Sequence, residues 1–259
     1  MSYTSILVDV SDGIGTVTLN LPEKRNPLGE PVTSEVVHAL NALAADAACR
    51  VVVVTGAGKA FCAGANLKGL QQTKALDDRA AYNHVIAVYK TIMNHPRPVI
   101  ASVNGDAIGA GAGLVSFSDM AISSDKARFG YPEVLRGLTV GVTAVSLLRT
   151  VPRKHAFEMA LTGKLIDAQE AWRLGLVNRV VPRDDLPRAT REMALHIASL
   201  SPEALRLCKE TLLMVQDVEF NKALLFARDQ RVLARLTEDA EEGMRAFLEK
   251  RPPMWRGQP

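Results

Sequence analysis

The alternation of apolar and polar positions predicts strands at the start of the chain. Ile6 to Val10 and Thr16 to Asn20 read as two strands flanking Asp12-Gly13, a dipeptide suited to a tight hairpin turn. Pro31 then opens a helical pattern in which Val32, Val36, Leu40 and Leu43 fall on one face. Val51 to Thr55 and Val99 to Val103 are β-branched runs without polar alternation, the pattern of strands covered on both faces. Between them, Arg79 to Asn94 reads as a polar helix. Strands alternating with helices predict crossover connections and a largely parallel sheet. From Thr143 onward the pattern is helical. Ser201-Pro202-Glu203 combines a capping hydroxyl, a proline in the first turn and an acid at the positive end of a helix, and Thr237 followed by Glu238, Asp239 and Glu241 repeats the device. No internal repeat or low-complexity linker divides the chain, so the helical part is expected to pack on the core and on neighbouring subunits.

Composition sets outer limits. A chain of 259 residues, 47% of them apolar, can bury a sizeable core and carry a helical appendage. The net charge of +3 is spread along the chain, so no nucleic-acid partner is expected, although a small positive excess favours the arrival of an anionic substrate. No stretch reaches the roughly 20 apolar residues of a membrane span, and no basic leader precedes an apolar run at the N-terminus. A cytoplasmic protein without a membrane partner is expected. Cys49, Cys62 and Cys208 are odd in number and widely spaced, which fits a reducing compartment better than a disulfide framework or a zinc site. Cys62 reads as a small buried thiol. The five histidines are scattered without metal-ligand spacing, so no metal is expected. A serine elbow of the G-x-S-x-G type is absent as well.

Two small-residue segments carry the candidate chemistry. AFCAGANLK (Ala60 to Lys68) and the run Gly109 to Gly113 within SVNGDAIGAGAGL place Ala65 and Ala110 among glycines, where the backbone can approach a ligand closely. Glu133 supplies a carboxylate shortly after the second segment. Backbone N–H donors aimed at an oxygen that gains charge, a helix N-terminus near Gly111 and one carboxylate form a constellation suited to chemistry through a stabilised enolate. A nucleotide site fits less well. VVVVTGAG (Val51 to Gly58) resembles the start of a dinucleotide turn, yet the next glycine of that spacing is due at Phe61, and no phosphate loop of the G-x-x-x-x-G-K-[ST] type is present.

The motifs taken together resemble the enoyl-CoA hydratase/isomerase family, the crotonase superfamily. They are LNLPEKRNPLG (Leu19 to Gly29), VVVVTGAGKAFCAGANLK (Val51 to Lys68), IASVNGDAIGAGAGL (Ile100 to Leu114), SDMAI (Ser118 to Ile122), FGYPEVLRGL (Phe129 to Leu138), LTGKLIDAQEAWRLGLVNRVVP (Leu161 to Pro182) and FLEKRPP (Phe247 to Pro253), collinear from end to end. The resemblance implies an α/β fold with a crotonase-like ββα-superhelix core over residues 1–195 and a C-terminal helical trimerisation region over 196–259. It further implies an acyl-CoA thioester as substrate, no separate cofactor because CoA is part of that substrate, and a homotrimer or hexamer. Glu133 would be the catalytic carboxylate, with Ala65 and Ala110 donating their backbone N–H groups to the thioester oxygen. Ala63 and the stretch Ala65, Asn66, Leu67 and Lys68 would line the substrate channel, Lys24 and Arg25 would lie near the CoA phosphates, and Tyr131 would be a further substrate contact. Phe247 and Lys250 resemble the pair that a neighbouring subunit lends to the adenine pocket; the alternative for Phe247 is a core residue of a terminal amphipathic helix.

One departure from the family pattern shapes the functional expectation. Hydratases of the family hold water with two glutamates; the second matches Glu133, but the first falls at Gly113, which has no side chain. Loss of one proton-transfer group disfavours addition of water. The family's Δ3,Δ2-enoyl-CoA isomerases work with the single glutamate, and dienoyl-CoA isomerases add an aspartate where this chain has Gly141. Asn66 stands where an aspartate commonly follows the first donor. Isomerisation through a thioester enolate is the leading expectation. The others are a hydratase in which Tyr131, Asp119 or Arg136 rebuilds the water site, and a CoA-binding scaffold with little catalysis. Asp119 reads as structural, at the entrance to a buried strand.

Overall fold

The computed structural model describes residues 3–65 and 78–255. In chain order the strands are β1 (Ile6–Ser11), β2 (Ile14–Leu19), β3 (Val51–Gly56), β4 (Ala60–Cys62), β5 (Val99–Val103), β6 (Asp106–Ile108), β7 (Met120–Ser124), β8 (Arg128–Gly130), β9 (Ile166–Asp167) and β10 (Arg179–Val181). The helices are α1 (Val32–Ala45), α2 (Asp78–Met93), α3 (Ala110–Phe117), α4 (Ala144–Thr150), α5 (Arg153–Thr162), α6 (Ala168–Arg173), α7 (Leu186–Ala198), α8 (Pro202–Val215), α9 (Phe220–Arg235) and α10 (Glu238–Glu249). Among the described residues, no helix is long and apolar enough to cross a membrane.

The predicted hairpin forms, with Asp12 and Gly13 both at positive φ in its turn. The largely parallel sheet predicted from the sequence is two sheets. A six-stranded one runs β1-β2-β3-β5-β7-β10, parallel beyond the hairpin, and a four-stranded one runs β4-β6-β8-β9. Each turn of the chain passes from a large-sheet strand through a short connection to a small-sheet strand and then to a helix, as in β3-β4-α2 and β5-β6-α3. This is the ββα superhelix that the resemblance implies. The valines of β3 and all of β5 are buried, as strands covered on both faces require. Glycine makes the corner between β5 and β6 feasible, because a Cβ on Gly105 would strike the carbonyl of Lys59.

Helix α7 covers the face of the large sheet away from α1, burying Ala194 and Ile197 against Ile14, Val51, Val53 and Ile100. A division between residues 195 and 196 therefore cuts this helix, and the helices standing off the sheets begin at Pro202. Both predicted caps form: Ser201 Oγ accepts from the Ala204 N–H at 3.0 Å, and Thr237 Oγ1 from the Ala240 N–H at 3.1 Å. Lys209 of α8 ties the appendage to the core. Its Nζ lies 2.7 Å from an Asp119 carboxylate oxygen that also accepts the Val99 N–H at 2.7 Å. Asp119 is a structural residue, as its place before β7 suggested.

Asn26 holds the turn after β2 against the two sheets. It adopts a left-handed conformation, with φ of 53°, and is buried. Its Oδ1 accepts the Leu21 N–H, while Nδ2 donates to the carbonyls of Ala57 and Ala60 at 3.0 and 2.9 Å. Asn26→Ala strands these groups in the interior and strains the backbone, so it should lower unfolding free energy by roughly 2–4 kcal/mol. Urea denaturation checks this. A loss below about 0.5 kcal/mol, within the range of ordinary surface changes, would show that the turn does not depend on Asn26.

Candidate active site

The two small-residue segments meet through their backbones. Gly109, at φ 53° and ψ −116°, precedes α3, whose first residue is Ala110. The first helical rung in this turn is the Gly113 N–H to the Gly109 carbonyl at 3.0 Å, so the N–H of Ala110 lies outside the ladder, as at any helix start. A Cβ on Gly64 (φ 95°) would sit 2.8 Å from the Ile108 oxygen and 3.6 Å from the Ala110 nitrogen. One on Gly111 would collide with the Cys62 carbonyl and lie 2.8 Å from the Cys62 Cβ. Only residues without side chains permit this approach. From the other side, the Leu28 N–H donates to the Gly64 carbonyl at 2.8 Å in a parallel bridge between Leu28 and Ala65. The ladder bond on this side uses the Gly64 carbonyl and not the Ala65 N–H. Ala65 and Ala110 thus end adjacent turns.

Glu133 stands at the same point. It belongs to a short 3₁₀ turn, Pro132–Arg136, closed by Gly137 at φ 70°. Its Oε1 lies 2.6 Å from where a Cβ on Gly109 would be, which sets the carboxylate against the start of α3. Its Oε2 is buried without a hydrogen-bond partner among the described residues. Burial raises the carboxyl above its ordinary value, and the nearby Arg136 guanidinium offsets this only in part. A buried carboxylate oxygen without a donor has basicity to spare for a substrate proton.

The position of the absent glutamate is filled by a residue that the sequence did not single out. A Cβ on Gly113 would collide with the Tyr89 hydroxyl and lie 2.7 Å from Tyr89 Cζ and 2.6 Å from Thr143 Cγ2. In α2, Tyr89 continues the apolar face of Val85, Val88 and Ile92, so by spacing alone it is one more core residue. Its role follows only from the packing of α2 on α3. The three groups considered for a rebuilt water site are differently engaged. Asp119 is bound to Lys209 and Arg136 donates to the Pro132 carbonyl at the surface, whereas the Tyr131 hydroxyl is buried without a hydrogen-bond partner among the described residues.

The remaining predicted residues fall into two places. Lys24 and Arg25 end the turn held by Asn26, and the Ala63 N–H donates to the Arg25 carbonyl at 2.9 Å, which joins this turn to Ala63 and Ala65. The Arg25 guanidinium is not free: it binds Asp106 at 2.6 Å, beside Arg128 at 2.7 Å. Burial raises the Asp106 carboxyl, but Arg128 and Arg25 bring it below its ordinary value. Phe247 and Lys250 lie at the end of α10, which packs on α8 and α9. Phe247 is 82% exposed, so the alternative of a core residue is incorrect for the single chain: the buried stripe of α10 runs through Asp239, Glu242 and Ala246 instead. Asn66, Leu67 and Lys68 lie outside the described residues. Cys62 is buried, with burial pushing its thiol up to about 12, so it is a packing residue and no nucleophile at neutral pH.

The donor geometry gives a direct test. Ala110→Gly keeps the N–H and should leave turnover within a few-fold, whereas Ala110→Pro removes it and should cost roughly 10² or more in kcat. Circular dichroism establishes that the proline variant is folded. Unchanged turnover in that folded variant would exclude the Ala110 donor.

Comparison with known proteins converges on one family. The family profile described as enoyl-CoA hydratase/isomerase matches residues 9–258. The human protein named enoyl-CoA hydratase domain-containing protein 3, mitochondrial, is 38% identical over 253 residues, covering 96% of this chain and 82% of its own. Crystal structures of enoyl-CoA hydratases from Mycobacterium smegmatis and Bacillus anthracis each superpose with a TM-score of 0.94 at 34% identity, over 98% of this chain and 99% and 100% of theirs. The chain belongs to the enoyl-CoA hydratase/isomerase family.

Proposed function

We propose that this protein isomerises 3-enoyl-CoA thioesters to 2-enoyl-CoA thioesters, with Glu133 as the single proton carrier. The observation that carries the reading is that Glu133 is the one carboxylate placed at the start of α3 among the described residues, with Gly113 and Tyr89 where a second would stand. In this mechanism Glu133 takes a proton from C2, and the electron pair moves onto the thioester oxygen to give a dienolate. The N–H groups of Ala65 and Ala110 stabilise that oxygen in a site already ordered around it. The protonated Glu133 then returns the proton to C4, and the double bond comes to rest between C2 and C3. The same carboxyl is base and then acid, so a value raised by burial suits both steps. Lys24 precedes Arg25, whose carbonyl accepts the Ala63 N–H, and this supports a channel in which the CoA phosphates meet positive charge.

Hydration is the second reading, favoured by the names of the Mycobacterium smegmatis and Bacillus anthracis relatives. It requires a group other than a second carboxylate to hold the attacking water.

We also propose a homotrimer or hexamer in which the helices beyond Pro202 form the contacts. Leu212, Phe220, Leu224, Leu236, Phe247 and Leu248 are all exposed in the single chain, and α9 buries no residue within it. Apolar exposure concentrated on one group of helices is the mark of an interface. In this assembly Phe247 and Lys250 reach the adenine end of a neighbour's substrate. A cytoplasmic setting accords with three free cysteines.

Glu133→Gln keeps the size of the side chain and removes the base. Isomerisation of a 3-enoyl-CoA should fall at least about 10²-fold with little change in ester affinity. Retained turnover would rule out Glu133. In the wild type the rate should rise with pH through a value above the ordinary carboxylate range, because only the ionised form abstracts the proton. The folded carboxyl binds its proton more tightly than the unfolded one, so this group's contribution to stability falls as pH rises through the same window and stays unfavourable above it. The Gln variant should therefore be at least as heat-stable as wild type at neutral pH; a lower melting temperature would contradict the assigned burial cost. For the assembly, light scattering should give three or six copies at micromolar concentration, and a stable monomer would refute it.

A further inference from the structure

Tyr89 is a buried titratable group that the mechanism above does not use, and three contacts fix it. Its ring stacks on Phe117, with centroids 4.5 Å apart and planes 17° from parallel. Its hydroxyl donates to the Ala110 carbonyl at 2.8 Å, and that hydroxyl occupies the space a side chain on Gly113 would need. The tyrosine is 2% exposed. It therefore does two things to one turn of helix: it braces the residue whose N–H is an oxyanion donor, and it fills the slot beside that donor.

We infer that Tyr89 determines reaction specificity, as a positioning residue that plugs the slot over Gly113 and so keeps a nucleophilic water from being held opposite Glu133. This inference rests on the single-carboxylate reading of the site. A phenol here does not replace a glutamate. Its proton is committed to the Ala110 carbonyl. Burial, with Cys62, Tyr131 and Glu133 close by, also holds it well above the ordinary phenol range, so it stays neutral and takes no proton from water at physiological pH. An enolate formed beside a closed slot can return the Glu133 proton only to C2, which regenerates the substrate, or to C4, which gives the product. With the slot open, a water could reach C3 of a 2-enoyl ester: its oxygen bonds to C3 as Glu133 takes its proton, the C2–C3 π pair moves onto the thioester oxygen, and the protonated Glu133 gives that proton to C2 as the enolate collapses.

Two sets of variants test the two roles. Tyr89→Phe keeps the ring, whose Cζ lies 2.7 Å from where a Cβ on Gly113 would be and so still closes the slot, and removes the bond to Ala110; kcat for isomerisation should fall several-fold with KM nearly constant and with no gain in hydration, as expected for loss of one neutral hydrogen bond. Tyr89→Leu retains apolar packing on Phe117 but withdraws the ring tip, and the ratio of 2-enoyl-CoA hydration to 3-enoyl-CoA isomerisation should rise at least about tenfold. Rebuilding the second carboxylate needs space from both neighbours. The triple variant Tyr89→Leu, Thr143→Ser, Gly113→Glu should raise that ratio further, whereas Gly113→Glu alone should be strongly destabilised by the collision. An unchanged ratio in folded Tyr89→Leu and triple variants would overturn the inference.

Unfolding curves read the plug independently of turnover. If the tip of the Tyr89 ring fills the slot, Gly113→Glu is rescued by Tyr89→Leu with Thr143→Ser, so the triple variant melts higher than Gly113→Glu alone. Absence of rescue overturns the plug. A wild-type enzyme that hydrates without isomerising, on the other hand, overturns the single-carboxylate reading while leaving rescue to be observed.

Discussion

The site depends on backbone approaching backbone where three glycines leave room. Gly64 lies over the Ile108 carbonyl, Gly111 over the Cys62 carbonyl, and Gly109 under the Glu133 carboxylate. A methyl group on Gly64 or Gly111 would enter a backbone carbonyl that cannot move without displacing a strand or the start of α3, and one on Gly109 would enter the Glu133 carboxylate. The small sheet and the helix thus arrive at one point within a few ångströms, and Ala65 and Ala110 finish their turns there with N–H groups outside the strand and helix ladders. The superhelix serves this meeting. Each of its turns delivers one short strand to the small sheet, so β4, β6 and β8 run side by side and their ends carry Ala65, Ala110 and Glu133 in succession.

Charge is handled in opposite ways at the two ends of this region. At the Arg25 turn, Asp106 is fully compensated by two guanidinium groups, and its carboxyl is held low. Around Glu133, one carboxylate oxygen is buried without a partner among the described residues, and the carboxyl is held high. The first arrangement fixes a loop. The second leaves a base unsatisfied, a local cost to folding that is typical of a group reserved for a substrate.

Legibility in the sequence followed the range of the interactions. The hairpin, the buried valine strands, the capped helices α8 and α10, and Glu133 with its two alanine turns were readable because each rests on local spacing or on a motif. The small sheet was not, because β4, β6 and β8 are three residues each, too short to show a period. Asn26 was hidden for another reason. Its side chain serves carbonyls more than thirty residues away, so nothing beside it in the sequence announces the role. Tyr89 was hidden by disguise. An aromatic on the apolar face of a helix is a core residue in most proteins, and here the same face also closes a catalytic slot. The exposure of Phe247 ran against its place on a terminal amphipathic helix, whose inward stripe is instead partly charged, with Glu242 bound to Arg251.

The central claim is that this family member moves a proton with one carboxylate and adds no water. Purified wild-type protein given matched 2-enoyl-CoA and 3-enoyl-CoA esters of several chain lengths, with both products resolved by chromatography, tests it most directly. The account predicts that 3-enoyl esters are converted to 2-enoyl esters faster than any 2-enoyl ester is hydrated. Hydration that outpaces isomerisation across the panel would contradict it, and would mean that water is held in this site by a group other than a second glutamate.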